Sequence, residues 1–190
     1  LAAAAYHGGV TDDSHRSTLR RCQALVAPGT SLRDALDRIT HGRTGALVVM
    51  GNNHEVQHLC SGGFPIDVPF TPAALRELCK LDGGIVLSDD LSRIVHAGVH
   101  FVPRGDLPTS ETGTRHRTAD RISQQAGVPV VTVSASMATI TLFIAGQRHL
   151  IEPIERILAR TNQALTGMLG HRARAVRLTR SLNILEIQDQ

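Results

Sequence analysis

Aromatic residues are scarce in this chain, which has no Trp, one Tyr and four Phe among 190 residues. The core must therefore be aliphatic, and the stacking platforms that hold single-stranded nucleic acid are largely lacking, which argues against a base-stacking module. Lysine is almost absent as well. Of 20 basic residues only Lys80 is not Arg, and with 17 acidic residues the net charge is +3 and the pI about 9.1. So small an excess bears on solubility and non-specific association rather than on fold. Residues 171–180 hold four Arg and no acid, so the rest of the chain is close to neutral. Cysteine is limited to Cys22, Cys60 and Cys79, an odd number without a Cys-x-x-Cys pair. With no signal peptide ahead of them, they point to a reduced, cytoplasmic protein. No apolar run is long enough for a transmembrane helix, so no membrane partner is expected. The opening LAAAAYHGGV has neither a basic segment nor a long apolar one, and residues 1–16 read as a disordered tail or an expression remnant.

What is present suits one domain with a real core: 42% of residues are hydrophobic and 19% charged. Leu19, Cys22, Leu25 and Val26 recur at helical spacing until Pro28-Gly29. A second helix is expected over 32–40, capped by Thr30 or Ser31. Gly45-Ala-Leu-Val-Val-Met-Gly51 and Gly84-Ile-Val-Leu-Ser88 read as strands buried on both faces. Between them Gly62 to Phe70 reads as an ordered, packed loop, followed by a helix that Thr71-Pro72 opens. Residues 93–102 read as a half-exposed strand, 108–114 as a loop and 115–126 as a helix. Strands are expected over 128–134 and 139–145, with a short edge at 148–151. Two helical stretches then follow, from Glu152-Pro153 toward Gly167 or Gly170 and over 172–185. The pattern is α/β, a central mixed and mostly buried sheet with helices on both faces, then C-terminal helices. The expected division is 17–151 for the main domain and 152–190 for the helical segment.

Two loops carry the chemistry. Leu81-Asp82-Gly83-Gly84 sets a carboxylate beside backbone that a ligand can approach closely, the arrangement that holds Mg²⁺ with phosphate oxygens; Asp-Gly is also a common turn dipeptide. Thr112-Gly-Thr-Arg-His-Arg-Thr118 brings hydroxyls and two Arg to a helix start, a receptor for polyphosphate, although Thr114 also suits a plain N-cap. Other features read as structural. His54 and His58 lack a third metal ligand, Cys60 and Cys79 suit core positions, and Asp89-Asp90 suits a turn. Arg172, Arg174, Arg177 and Arg180 suit a solvated helix face better than a phosphate-backbone contact.

Several stretches together carry a resemblance: Arg43-Thr-Gly-Ala-Leu-Val-Val, Gly62-Gly-Phe-Pro-Ile-Asp-Val-Pro-Phe, Leu81-Asp-Gly-Gly, Ser110-Glu-Thr-Gly-Thr-Arg-His-Arg-Thr and Ile157-Leu-Ala-Arg-Thr-Asn-Gln-Ala-Leu. In this order they resemble the diadenylate cyclase domain of the bacterial DNA-integrity scanning (DisA) family, from about Leu19 to the helix around Leu165. The resemblance implies synthesis of cyclic di-AMP from two ATP with release of two pyrophosphates, Mg²⁺ or Mn²⁺ as cofactor, and homo-oligomers of face-to-face dimers, octamers included. It makes Asp82, Arg115, His116 and Arg117 catalytic, with Asp82 and His116 as metal ligands. The implied ATP contacts are Gly83, Gly84, Phe101, Thr114, Arg115, His116, Arg117, Thr118 and Ser134. Two positions depart from the family pattern: Gly84 replaces the usual Ala, and Phe101 stands where Leu is common. They leave open a catalytically weak or inactive nucleotide-binding or scaffold module of the same fold. Full-length family members continue into a helical spine and a helix-hairpin-helix DNA module; this chain stops at Gln190, so DNA binding is not expected of it.

Overall fold

The computed structural model describes residues 17 and 19–188, with side chains to residue 181; the tail expected over 1–16 lies outside the described residues. A helix over residues 19–25 (α1) leads to α2 (Ser31–His41), whose cap is Thr30 accepting from the Arg33 N–H at 3.2 Å. The apolar runs become β1 (Ala46–Met50), β4 (Gly84–Leu87), β6 (Val130–Ser134) and β7 (Thr139–Ile144). Between and after them lie α3 (His54–Leu59), β2 (Cys60–Ser61), β3 (Phe64–Pro69), α4 (Pro72–Leu78), β5 (Arg93–Phe101), α5 (Thr114–Gln125), β8 (Gln147–Ile151) and α6 (Ile154–Gln188). The sheet runs β2-β5-β4-β1-β6-β7-β8, with β3 also on β5. Among the described residues only the β1–β4 pairing is parallel, so the sheet is mixed, as the sequence pattern predicts.

Successive strand residues point to opposite faces, so a wholly apolar strand feeds two cores. Ala46, Val48, Met50, Ile85, Leu87, Val131, Val133, Ile140 and Leu142 pack with Leu32, Leu36, Ile39 and Leu75 of α2 and α4. Leu47, Val49, Val86, Val130 and Phe143 face the other way, onto Val56 and Leu59 of α3 and Ala119 and Ile122 of α5. These two clusters are the helix layers expected on both faces.

Two expectations are corrected. The segment read as a packed loop contains β3, an edge strand paired to β5 from Phe64↔Ala97 to Pro69↔Arg93. Its prolines are tolerated because an edge strand has one side free of ladder bonds. A register shift between Pro65 and Val68 accommodates Asp67, which has positive φ and accepts from Arg93 Nε at 2.6 Å. The two C-terminal helical stretches are one helix, α6, unbroken at Gly167 and Gly170. A glycine costs a helix about 1 kcal/mol, too little to end one that is sound on either side. Residue contacts divide the chain between Ile151 and Glu152. Within the second unit Arg160 pairs with Glu152 at 3.4 Å, and Arg172, Arg174, Arg177 and Arg180 are exposed.

Candidate functional site

In open parallel sheets ligands gather at the carboxyl ends of the strands. Here the parallel pair β1 and β4 presents its amino ends, because the step from strand to loop to helix leaves from β5, which is antiparallel to β4. Phe101, the last residue of β5, therefore reaches the edge where Gly84 begins β4, and α5 starts there too. A cavity of about 390 Å³ opens at this edge, lined by Leu47, Asp82, Gly83, Gly84, Val99, His100, Phe101, Thr114, Arg115 and Thr118.

On one side is the turn before β4. Gly83 has φ +105°, and a Cβ there would sit 2.7 Å from the backbone of Gly98 and Val99, so no other residue fits. The Gly83 N–H donates to Asp82 Oδ1 at 3.0 Å, which orients an exposed carboxylate at the cavity.

Across the cavity is the start of α5. Its N-cap is Gly113, which has no side chain to cap the helix, and the first turn contains no acid. Thr114, for which a plain N-cap is the alternative reading, is the first helical residue. The first-turn N–H groups thus have no capping side chain, and the helix dipole there favours an anion. Thr114, Arg115 and Thr118 face the cavity because residues three and four apart share a helix face. Arg115 lies against Gly45, where a Cβ would be 2.7 Å from Nη1. The loop leading into α5 is held by α5 itself: Arg121 donates to the carbonyls of Gly105 and Leu107 at 2.9 and 3.1 Å, and Gln124 to that of Pro108 at 3.0 Å.

The structure thus gathers Asp82, Gly83, Gly84, Phe101, Thr114, Arg115 and Thr118 of the expected residues. It places His116, Arg117 and Ser134 outside the cavity lining. Arg117 Nε donates to the Glu111 carbonyl at 3.4 Å. Ser134 ends β6 at the same sheet edge, with its hydroxyl 3.3 Å from that of Ser136. His116 packs edge-on to Phe143 with ring centroids 6.0 Å apart, and its buried Nε2 has no hydrogen-bond partner. Burial pulls the His116 pKa below the ordinary 6.5, a shift opposed by Glu111 and reinforced by Arg148. The unfolded chain therefore takes up the proton first as pH falls. Stability is expected to drop as pH is lowered through about 6.5, and His116→Gln to flatten that part of a melting-temperature profile. An unchanged profile would remove His116 as its source.

Leu47, Val99 and His100 also line the cavity, and Gly45 seats Arg115. Gly45 and Leu47 lie in the stretch Arg43-Thr-Gly-Ala-Leu-Val-Val that carries part of the resemblance; Val99 and His100 gave no signal beyond ordinary strand pattern.

The remaining candidates behave as structure. Burial raises the thiol pKa of Cys22, Cys60 and Cys79, that of Cys79 to about 12, so these cysteines are poor nucleophiles at neutral pH. Asp89 accepts from the Asn52 N–H at 2.9 Å, and Asp90 from Ser88 and Ser92 at 2.6 and 3.1 Å; both brace turns. His54 and His58 share the exposed face of α3, with ring nitrogens 3.2 Å apart. Among the described residues no group of three or more His, Cys, Asp and Glu could hold a metal ion. A lone carboxylate at the cavity fits Mg²⁺ or Mn²⁺ only where a ligand's phosphate oxygens supply most of the coordination. The pairing of Asp82 with His116 does not, since only Asp82 lines the cavity.

A family model described as DisA bacterial checkpoint controller nucleotide-binding (DAC) matches residues 33–148. The chain is 60% identical over 167 residues to a DNA integrity scanning protein DisA of Cutibacterium acnes, covering 88% of this chain and 48% of that one. To the protein of the same name from Streptomyces coelicolor it is 53% identical over 171 residues, covering 90% and 46%. The chain thus spans about half the length of these relatives. Among solved structures, DacA from Staphylococcus aureus, a double mutant, aligns with a TM-score of 0.56 at 24% identity over 67% of this chain and 87% of that one. A Bacillus cereus structure described as a hypothetical membrane spanning protein aligns with a TM-score of 0.59 at 20% identity over 76% and 78%. Both show likeness of fold. No helix among the described residues is long and apolar enough to cross a membrane.

Proposed function

The chain belongs to the DisA bacterial checkpoint controller nucleotide-binding (DAC) family, and from that premise we propose that it is a diadenylate cyclase, a nucleotidyltransferase that condenses two ATP into cyclic di-AMP and releases two pyrophosphates. One observation carries the reading. A helix start with no capping side chain, bearing Arg115, Thr114 and Thr118, shares a single cavity with the Asp82 carboxylate. The positive end suits a triphosphate, and the carboxylate suits the group that activates a hydroxyl.

In the proposed reaction the 3′-hydroxyl of each ATP attacks the α-phosphorus of the other. A new ester bond forms, the bond to the pyrophosphate leaving group breaks, and the Asp82 carboxylate takes the hydroxyl proton. Arg115 and the hydroxyls of Thr114 and Thr118 hold phosphate oxygens and offset the charge that builds on the departing pyrophosphate. Asp82, with the triphosphate, would hold Mg²⁺ or Mn²⁺, which supplies charge neutralisation and lowers the pKa of a bound hydroxyl. Arg117, His116 and Ser134 support the site from outside the cavity lining. One cavity takes one ATP, so the reaction requires two copies facing each other across a two-fold axis. Cys22, Cys60 and Cys79 are all free of disulfides, which suits a reduced, cytoplasmic setting.

The test is incubation with ATP and Mn²⁺ or Mg²⁺ followed by chromatography. Cyclic di-AMP is expected, with a specific rate that rises with protein concentration through the dimerisation range. No product at any concentration, with ATP still bound, would leave the idle nucleotide-binding module as the correct reading. Turnover by a strict monomer would overturn the face-to-face arrangement.

A further inference from the structure

The cavity has two chemically distinct walls. Asp82, Thr114, Arg115 and Thr118 are polar; Leu47, Val99 and Phe101 are apolar. The apolar wall is built around a missing side chain. Gly84 lies two residues before Val86 and opens toward the same face of the sheet as Val86 and Leu47. A Cβ at position 84 would be 2.6 Å from Phe101 Cε2, 2.9 Å from Leu47 Cδ2 and 3.0 Å from the Leu47 carbonyl oxygen, so the ring makes the tightest of the three contacts. The edge of the phenyl ring therefore occupies the space that the first carbon of any side chain at 84 would need. The ring is half-buried. It packs on the cluster beneath α5 and at the same time lines the cavity, while the Phe101 backbone is fixed by its pairing with Cys60.

We propose that Gly84 and Phe101 work as one unit that shapes the base-binding wall. Gly84 is a positioning residue whose missing Cβ lets the ring sink against β4, and the seated ring offers a flat apolar face to a planar nucleobase. Gly84 leaves the room that the ring of Phe101 fills, so the two positions are coupled through one shared space. A side chain at 84 drives the ring toward the cavity, because the Phe101 backbone is held in the sheet and the ring is the part free to turn. A smaller residue at 101 leaves the seat empty and the base without its aromatic surface.

The inference rests on the nucleotide reading above, so the experiment uses two probes: ATP, which carries a base, and inorganic triphosphate, which does not. Equilibrium binding of each is measured for wild type, Gly84→Ala, Phe101→Leu and the double variant, with thermal melting to show that each is folded. Gly84→Ala and Phe101→Leu are each expected to weaken ATP binding about tenfold, the size of a lost base–aromatic contact, and to leave triphosphate binding unchanged. The double variant is expected to bind ATP better than Gly84→Ala, since Leu has no atom at the Cε2 position; contacts this close do not add independently. Strictly additive losses, or equal losses for ATP and triphosphate, would overturn the coupling. A wild-type protein that binds neither probe would overturn the nucleotide reading and this inference with it. Wild-type binding of both, with ATP affinity unaltered in all three variants, would overturn this inference alone.

Discussion

Asp82→Asn is expected to lower the rate of cyclic di-AMP formation about 10³-fold, within the range that a positioned acid–base group contributes, while ATP still binds. Asparagine has the shape of aspartate, and its carbonyl oxygen can accept the same Gly83 N–H that Asp82 Oδ1 accepts at 3.0 Å. The turn should therefore survive, together with the backbone geometry that φ +105° at Gly83 requires. Only the negative charge is lost, and with it the capacity to take a proton or to hold a divalent cation beside phosphate. The readouts are the initial rate at saturating ATP and the ATP affinity, measured on the same protein. Turnover close to wild type would remove Asp82 from the chemistry, and a loss confined to affinity would move it into the binding cradle.

Arg115→Ala is expected to weaken ATP binding by about 10- to 100-fold, the loss for one hydrogen-bonded charged contact. Arg115 is a cavity-lining cation, and its guanidinium rests where a side chain at position 45 would have to go, 2.7 Å from Nη1. Gly45→Ala should therefore weaken binding in the same direction but less, because the atom displaced is the far end of a flexible side chain and the fold is not strained. Arg117→Ala should cost less than Arg115→Ala, since Arg117 donates to the Glu111 carbonyl and does not line the cavity. Titration with ATP checks all three. Unchanged affinity in Arg115→Ala would remove that residue from the phosphate cradle, and a larger loss in Arg117→Ala would reverse the assignment.

The contrast between these neighbouring arginines shows where reading from sequence stops. The motif Arg115-His116-Arg117 is visible as a string, but a helix turns about 100° per residue, so three consecutive side chains cannot all face one cavity. Which of them does so depends on the face that Ala119 and Ile122 bury, and thus on the sheet beneath. His116 is turned onto Phe143, which comes from β7 and is remote in sequence. In the same way β3 gave no strand signal of its own, because its pairing partner, β5, begins more than twenty residues later and its prolines and glycines mimic a loop.

The continuous apolar runs and the Asp82-Gly83 turn were legible from sequence because their causes are local. A strand buried on both faces must be apolar throughout, and a backbone at positive φ favours glycine. Those local causes determined the elements, the mixed sheet with helices on both faces, and the two loops that carry the chemistry. Only the tertiary structure decided that the loops meet in one cavity at the amino ends of β1 and β4, that Gly45 makes room for Arg115, and that Gly84 makes room for Phe101. Each of these is a close approach between segments far apart in the chain, set by strand register and helix packing rather than by any residue's own preference. The scarcity of aromatic residues takes its meaning from the same geometry: of the four Phe in the chain, the one that lines the cavity sits there because a residue seventeen positions earlier has no side chain.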